Sequence, residues 1–240
     1  FLNGILKKKT KIMYKNLELE FHDPNRLIHY RIKSFSSKEP ETLNWIDSFE
    51  DKSVFYDVGA NIGLYSIYAA KKKNCQTFSF EPSPFNLGVL VKNIFLNNLE
   101  DNIKLISMPL SDKTQSNMMK MSNIELGGAL SNFGNKSSKI PSVLKYSTVS
   151  LSLDEARRIF NFPQPQYIKI DVDGIESLIL SGGKEVIKNT KSILVEINEN
   201  NSKDMESIKN YFDLAGFKFY KKTPLNVKNE MFFNYIWKKN

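Results

Sequence analysis

The residues best placed to do chemistry lie in two short runs, Asp57-Val58-Gly59-Ala60-Asn61-Ile62-Gly63 and Phe80-Glu81-Pro82. The first reads as a buried strand that ends in a glycine turn and opens a helix. Such a junction presents backbone N–H groups to a polar ligand. The details choose among ligands. A dinucleotide fingerprint needs Gly-x-Gly-x-x-Gly, and here Asn61 stands where the second glycine would let a pyrophosphate approach. A P-loop is excluded because no Gly-Lys-Ser/Thr follows. Asp57, at the strand end, would repel a pyrophosphate but suits a cationic or amino-bearing group. Glu81 follows Gly59 by 22 positions, and an acid about 20 residues on accepts hydrogen bonds from ribose hydroxyls. The ligand so described has a ribose and a positive charge and lacks a pyrophosphate. S-adenosylmethionine meets that description. Taken singly, Gly59 and Gly63 are as readily ordinary turn glycines, and Asp57 and Glu81 solvent-facing strand ends. Together, at this spacing in one βαβ unit, they favour cofactor binding.

The elements that must position these groups follow a regular order. Strands are expected at Ser53–Val58, Thr77–Glu81 and Lys104–Leu110, with helices at Leu64–Lys72 and Pro84–Asn97 between them. Residues 111–150 break the rhythm. They are rich in Ser, Asn, Gly and Met, contain Gly127-Gly128, and are read as a substrate-facing insert closed by a strand near Thr148–Leu153. The alternation then resumes: strand Tyr167–Val172, helix Ile175–Lys188, strand Ser192–Ile197, helix Met205–Ala215 with Gly216 as its cap, and an antiparallel pair at Phe217–Lys221 and Phe232–Trp237. This pattern describes an α/β fold, a doubly wound, mostly parallel sheet of about seven strands with helices on both faces. Upstream, Lys15–Ile32 is expected to form a hairpin around His22-Asp23-Pro24-Asn25, and a helix starts at Pro40-Glu41 with Leu43, Trp45, Ile46 and Phe49 inward. Residues 1–50 are thus an appended hairpin and helix, and residues 51–240 the main domain.

With these segments in order, the chain resembles the FkbM-type methyltransferases. The resemblance rests on Phe55–Gly63, on Phe80-Glu81-Pro82-Ser83-Pro84 with Asn86 and Asn93, on Leu110-Ser111-Asp112, on Ile168-Lys169-Ile170-Asp171-Val172-Asp173-Gly174-Ile175-Glu176, and on Val195-Glu196-Ile197. It covers roughly Lys38 to Ile197. It implies a Rossmann-like class I methyltransferase, a seven-stranded sheet whose last strand is antiparallel, and S-adenosylmethionine as cofactor. It also implies that Asp57, Gly59, Asn61 and Gly63 surround the methionine part, that Glu81 holds the ribose, and that Ser111 or Asp112 lies near the adenine. Ala60, Pro82 and Asp171 complete the expected cofactor contacts. One departure is Asp173, where the family usually carries Glu.

Methyl transfer from a sulfonium to a hydroxyl requires alignment and removal of a proton. The candidate bases are Asp171 and Glu196, both at strand ends on the expected ligand edge. Their structural alternatives weigh more: Asp171 holding the cofactor's amino group, and Glu196 capping a loop. Asp171 with Glu196 or Asp173 could hold a hard cation, but nothing in the spacing demands it, and no metal is expected. His22 and His29 fall in the upstream hairpin, where packing or surface roles are expected.

Composition bounds the rest. The chain has 240 residues, a net charge of +8, only two His and a single cysteine, Cys75, which excludes an intramolecular disulfide and Cys-rich metal clusters. The lysines are scattered, apart from short runs such as Lys7-Lys8-Lys9, and read as a solvated surface. No apolar stretch is long enough for a transmembrane helix, and a cytoplasmic location is expected. The chain begins at Phe1, as if cut from a longer polypeptide. A homo-oligomer is left open. The leading reading is O-methylation of a sugar, glycan intermediate or other small hydroxylated metabolite, an acceptor class drawn from the resemblance. A nucleic-acid methyltransferase is the first alternative. It is disfavoured because no Asp/Asn-Pro-Pro-aromatic motif is present and Cys75 lacks a preceding Pro. A non-catalytic cofactor-binding or interaction module is the second.

Overall fold

Apolar side chains on both faces of the central strands force a sheet covered on two sides. In β3 (Val54–Val58), Phe55 and Asp57 project to one layer and Tyr56 and Val58 to the other. The computed structural model describes residues 8–134, 141–200, 202–225 and 231–239. Lys7 and the segment 135–140 of the insert fall outside them.

The main sheet adds β4 (Gln76–Phe80), β5 (Ile103–Ile106), β10 (Tyr167–Ile170), β11 (Ser192–Asn198), β12 (Lys218–Pro224) and β13 (Phe232–Lys238). Their order is β12-β13-β11-β10-β3-β4-β5. β13 alone runs opposite to the other six strands. This is the expected class I arrangement. The chain leaves β5 at one edge and re-enters beside β3 at β10, so the strand order reverses between β3 and β10. Ligands of open α/β sheets gather outside the carboxyl ends of strands at such a point.

Tyr56, Val58, Phe78, Ile168, Ile170 and Val195 pack against α6 (Leu153–Ile159), α7 (Glu176–Ser181), α8 (Lys184–Lys188) and α9 (Ser202–Leu214). Phe55, Leu194 and Ile236 pack on the opposite face against α3 (Pro40–Asp47), α4 (Leu64–Lys73) and α5 (Pro84–Leu96). The expected long helix at 175–188 is two short ones. It breaks at Gly182-Gly183 because the Gly182 backbone runs against the Ser111 and Asp112 carbonyls, and Gly183 against Leu153. The insert is a sheet of its own, β6 (Leu110–Ser111), β7 (Gln115–Met121), β8 (Ser131–Phe133) and β9 (Leu144–Ser152), in the order β6-β9-β7-β8. Met119, Met121 and Phe133 bury its inner face.

The N-terminal segment differs from expectation. The hairpin pairs β1 (Lys9–Tyr14) with β2 (Leu17–His22), and its turn is Lys15-Asn16, both at positive φ. Residues read as the second strand form a helix, α1 (Arg26–Lys33), followed by α2 (Phe35–Lys38). Asn25 is its N-cap and accepts from the Ile28 N–H, and Ile28 and Ile32, four apart, are its buried stripe. His22 therefore ends β2 and His29 lies on α1. Many surface lysines pair locally with acids, as in Lys9–Glu20, Lys15–Asp47, Lys73–Asp51 and Lys191–Glu50. Among the described residues no helix is long and apolar enough to cross a membrane.

Asn93 on α5 joins the N-terminal hairpin to the glycine turn. Fully buried, it accepts from the His22 N–H at 2.6 Å and donates to the Ile62 carbonyl at 2.8 Å. Asn93→Leu strands both backbone groups, each at a cost of about 1–3 kcal/mol. Thermal melts of the variant should show a fall of several degrees; an unchanged midpoint would remove Asn93 from this role.

Candidate functional site

Where β3 and β10 end side by side, their backbones nearly touch. Gly59 sits at φ +84°, and a Cβ there would drive into the Asp171 carbonyl. Gly63 is held at the same φ, and a Cβ on it would strike Leu90. The turn is closed upon itself. The Gly59 and Ala60 N–H groups donate to the Phe80 carbonyl, Gly63 N–H to the Ala60 carbonyl, Ile62 N–H to the Asn61 side chain, and Asn61 N–H to Glu81. The expected cradle of free N–H groups is therefore absent from this turn. Its glycines serve close approach.

The Asn61–Glu81 bond brings Glu81 to the wall of a forked cavity. The main arm has a volume of about 200 Å³ and is walled by Gly59, Asn61, Glu81, Pro82, Asp171 and Glu196 with apolar Met108, Pro109, Leu110 and Ile179. The second arm, about 50 Å³, runs beneath α1 and α2 past Ala60, Tyr65, Lys38, Glu39 and Lys169. Glu81 Oε2 accepts from Asn61 N–H at 2.7 Å and Oε1 from Ser83 N–H at 2.8 Å. Burial pushes its pKa up to about 7, and the two backbone bonds pull against that rise. A carboxylate so held keeps lone pairs for vicinal hydroxyls, as a ribose presents. The apolar slot beside it suits a flat ring.

A turn of the insert roofs this wall. Gly127 N–H donates to Asn86 Oδ1, the Gly128 carbonyl accepts from both Asn61 and Asn86, and the Leu126 carbonyl accepts from Asn25. Arg31 of α1 donates its Nε–H to the Gly127 carbonyl at 2.7 Å. A side chain on Gly127 would meet Ile28. Arg31 and Lys38 line the cavity yet were not singled out from sequence. Neither belongs to a motif, and their distance along the chain from Asp171 hides the contact.

Carboxylates and ammoniums alternate deeper in. Lys169 is fully buried, bonds Asp171 Oδ2 at 2.5 Å, and lies over the Tyr65 ring. Burial would raise the Asp171 pKa, but the charge and hydrogen bond of Lys169, with the Lys38 and Arg31 charges, together hold the acid below its ordinary range. Glu196 behaves oppositely. Burial, then the Asp171 and Glu39 carboxylates, push it well above its ordinary value. Its carboxylate takes no hydrogen bond from the described residues. Ligand oxygens of Glu39, Asp171 and Glu196 lie within 4.8 Å of one another, a spacing a cation could bridge. Here Lys38, 2.8 Å from Glu39, and Lys169 supply the positive charge.

The remaining expected residues divide. Asp57 stands behind the cavity rather than on its wall. The two-residue period of β3 turns it with Phe55 toward α4, where Ser66 donates to it at 2.5 Å. Burial raises its pKa, opposed by the Lys169 charge and the Ser66 bond. Gly63 lies at the start of α4, outside the lining. Ser111 and Asp112 also lie outside the lining, which Leu110 supplies in their place. Asp173 lines the cavity and accepts from the Ser131 N–H of the insert at 2.7 Å. His22, His29 and Cys75 are not among the lining residues.

The chain is similar to known proteins. A family model described as the methyltransferase FkbM domain matches residues 57–219. The hexuronic acid methyltransferase AglP of Haloferax volcanii is 24% identical over 168 residues, 70% of this chain and 65% of its own length. The methyltransferase sdnD of Sordaria araneosa is 32% identical over 99 residues, 38% of each chain. The chain thus spans less than two thirds of both curated relatives. Among solved structures, M. jannaschii TYW2 in complex with AdoMet superposes with a TM-score of 0.51 at 12% identity, covering 97% of this chain and 87% of that one. That likeness concerns the fold.

The raised pKa of Glu81 has a thermodynamic consequence. Between its ordinary value of 4.5 and about 7 the folded chain binds more protons at this site than the unfolded chain, so this contribution to stability falls as pH rises. Glu81→Gln lacks it. Relative to the unaltered chain, the variant should gain up to roughly 3 kcal/mol of stability on going from about pH 5 to about pH 8 without ligand. Parallel denaturation curves at the two pH values check this, and a pH-independent difference would show that Glu81 ionises normally.

Proposed function

The chain belongs to the FkbM methyltransferase family, whose methyl donor is S-adenosylmethionine, and from that premise we propose that it methylates a hydroxyl oxygen of a sugar, glycan intermediate or similar small metabolite. Glu81 would hold the ribose, Gly59, Ala60 and Asn61 would line the path of the methionine part, and the slot at Leu110 and Ile179 would take the adenine. The observation that carries the chemistry is Glu196: a partly buried carboxylate at the open cavity, beside Asp171 and without a hydrogen-bond partner among the described residues.

The donor supplies a methyl group already activated by its positive sulfur. The protein's tasks are to align the acceptor, shield it from water and take its proton. Asp171, held ionised by Lys169, suits a positioning and charge-balancing role. Glu196 suits the base in its ionised form, because a carboxylate raised above its ordinary pKa is the more basic once it has lost its proton. With the donor bound, the acceptor hydroxyl would give its proton to ionised Glu196 as it takes the methyl group that the sulfonium would supply. The name of AglP, a hexuronic acid methyltransferase, supports a carbohydrate acceptor. The surface ion pairs of the lysines support a solvated face over a nucleic-acid track.

The labelled methyl group of the donor should pass to at least one member of a panel of neutral sugars, uronic acids and nucleotide-sugars, and an RNA or DNA acceptor in their place would overturn the acceptor class. In that assay Glu196→Gln should lower kcat by about 10²–10⁴-fold with little change in donor affinity. The unaltered enzyme should lose activity as pH falls through the Glu196 pKa, and the variant should lack this acid limb. Full activity in the variant would assign the proton elsewhere.

A further inference from the structure

The second arm of the cavity raises a question of charge. A ribose held at Glu81 directs the amino-acid end of the donor along the Gly59–Asn61 turn toward this arm. That end is a zwitterion, an ammonium and a carboxylate. The arm contains three cations. Lys38 is paired with Glu39 at 2.8 Å and Lys169 with Asp171 at 2.5 Å. Arg31 lines both arms and makes no direct ion pair with a described residue, although its charge reaches Asp171 and Asp173 and favours their ionised forms.

The arginine is held in place. Its Nε–H donates to the Gly127 carbonyl at 2.7 Å, and α1 is pinned nearby by the Asn25–Leu126 bond. This fixes the plane of the guanidinium and leaves its two terminal nitrogens for another acceptor. A guanidinium fork matches a carboxylate in two parallel hydrogen bonds. The side chain comes from a helix that precedes the matched segment 57–219.

We propose that Arg31 anchors the α-carboxylate of S-adenosylmethionine, so that an N-terminal helix outside the family-defining segment completes the donor site. The ammonium of the donor then faces Asp171 and Glu39, and its carboxylate faces Arg31. This rests on Glu81 marking the ribose end. It also gives the N-terminal segment a share in donor binding.

The test compares S-adenosylmethionine with its decarboxylated analogue by calorimetry on the intact chain. The unaltered protein should favour the carboxylate-bearing ligand by roughly tenfold or more. Arg31→Gln should remove that preference by weakening only S-adenosylmethionine, and Arg31→Lys should restore part of it. Glu81→Ala should weaken both ligands alike. Loss of both ligands in Arg31→Gln, with an unshifted melting temperature, would overturn the proposal. So would equal affinities of the unaltered protein for the two ligands, a measurement that needs no variant. Retained preference in Arg31→Gln with a raised KM for an anionic acceptor would give the guanidinium to the acceptor and likewise overturn it. If Glu81→Ala binds both ligands normally, the placement of the ribose fails, and this proposal fails with it.

Discussion

Gly59 allows the backbone of one strand to lie against the end of its neighbour, and the site is built around that contact. β3 and β10 are adjacent and parallel, so their carboxyl ends emerge together. A side chain at Gly59 would drive into the Asp171 carbonyl, so the two strand ends close on each other only with glycine there. The turn that follows has its N–H groups consumed internally, and one of those bonds sets Glu81 against the cavity. One close approach thus positions acids on both strands.

The charges around this contact are not independent. Lys169 is buried between Asp57 and Asp171 and answers to both. An isolated buried ammonium would be costly, and so would either acid alone. Burial first, and then the Asp171 and Glu39 carboxylates, push Glu196 toward its protonated form against the Lys169 and Lys38 charges. Asp57 therefore contributes from behind the wall. It balances Lys169, which in turn holds Asp171 ionised.

The floor and the roof of the cavity come from different parts of the chain. The parallel strands make the floor. The roof is the Leu126–Gly128 turn of the insert, stitched to α1 through Asn25 and Arg31 and to the floor through Asn61 and Asn86. Asp173, shorter than the usual Glu, binds the backbone of β8. A contact that shifts the insert would thereby reach the site.

The glycine spacing, the acid about 20 residues later and the alternation of strand and helix were legible along the chain, because each is a local consequence of backbone sterics and side-chain period. The orientation of Asp57 was legible in principle too, since it alternates with Phe55. The α1 helix was misread because Asn25 serves equally as turn residue and N-cap, and only the four-residue spacing of Ile28 and Ile32 separates the two. What tertiary structure alone decided was which distant groups meet. Arg31 reaches Gly127 across 96 positions, and Glu39 meets Asp171 and Glu196 across more than a hundred. Such meetings depend on how packed layers dock, a sum of many contacts that no local pattern records. For the same reason the peptide donors of the turn, free in a linear reading, are taken up once Phe80 and Glu81 come alongside.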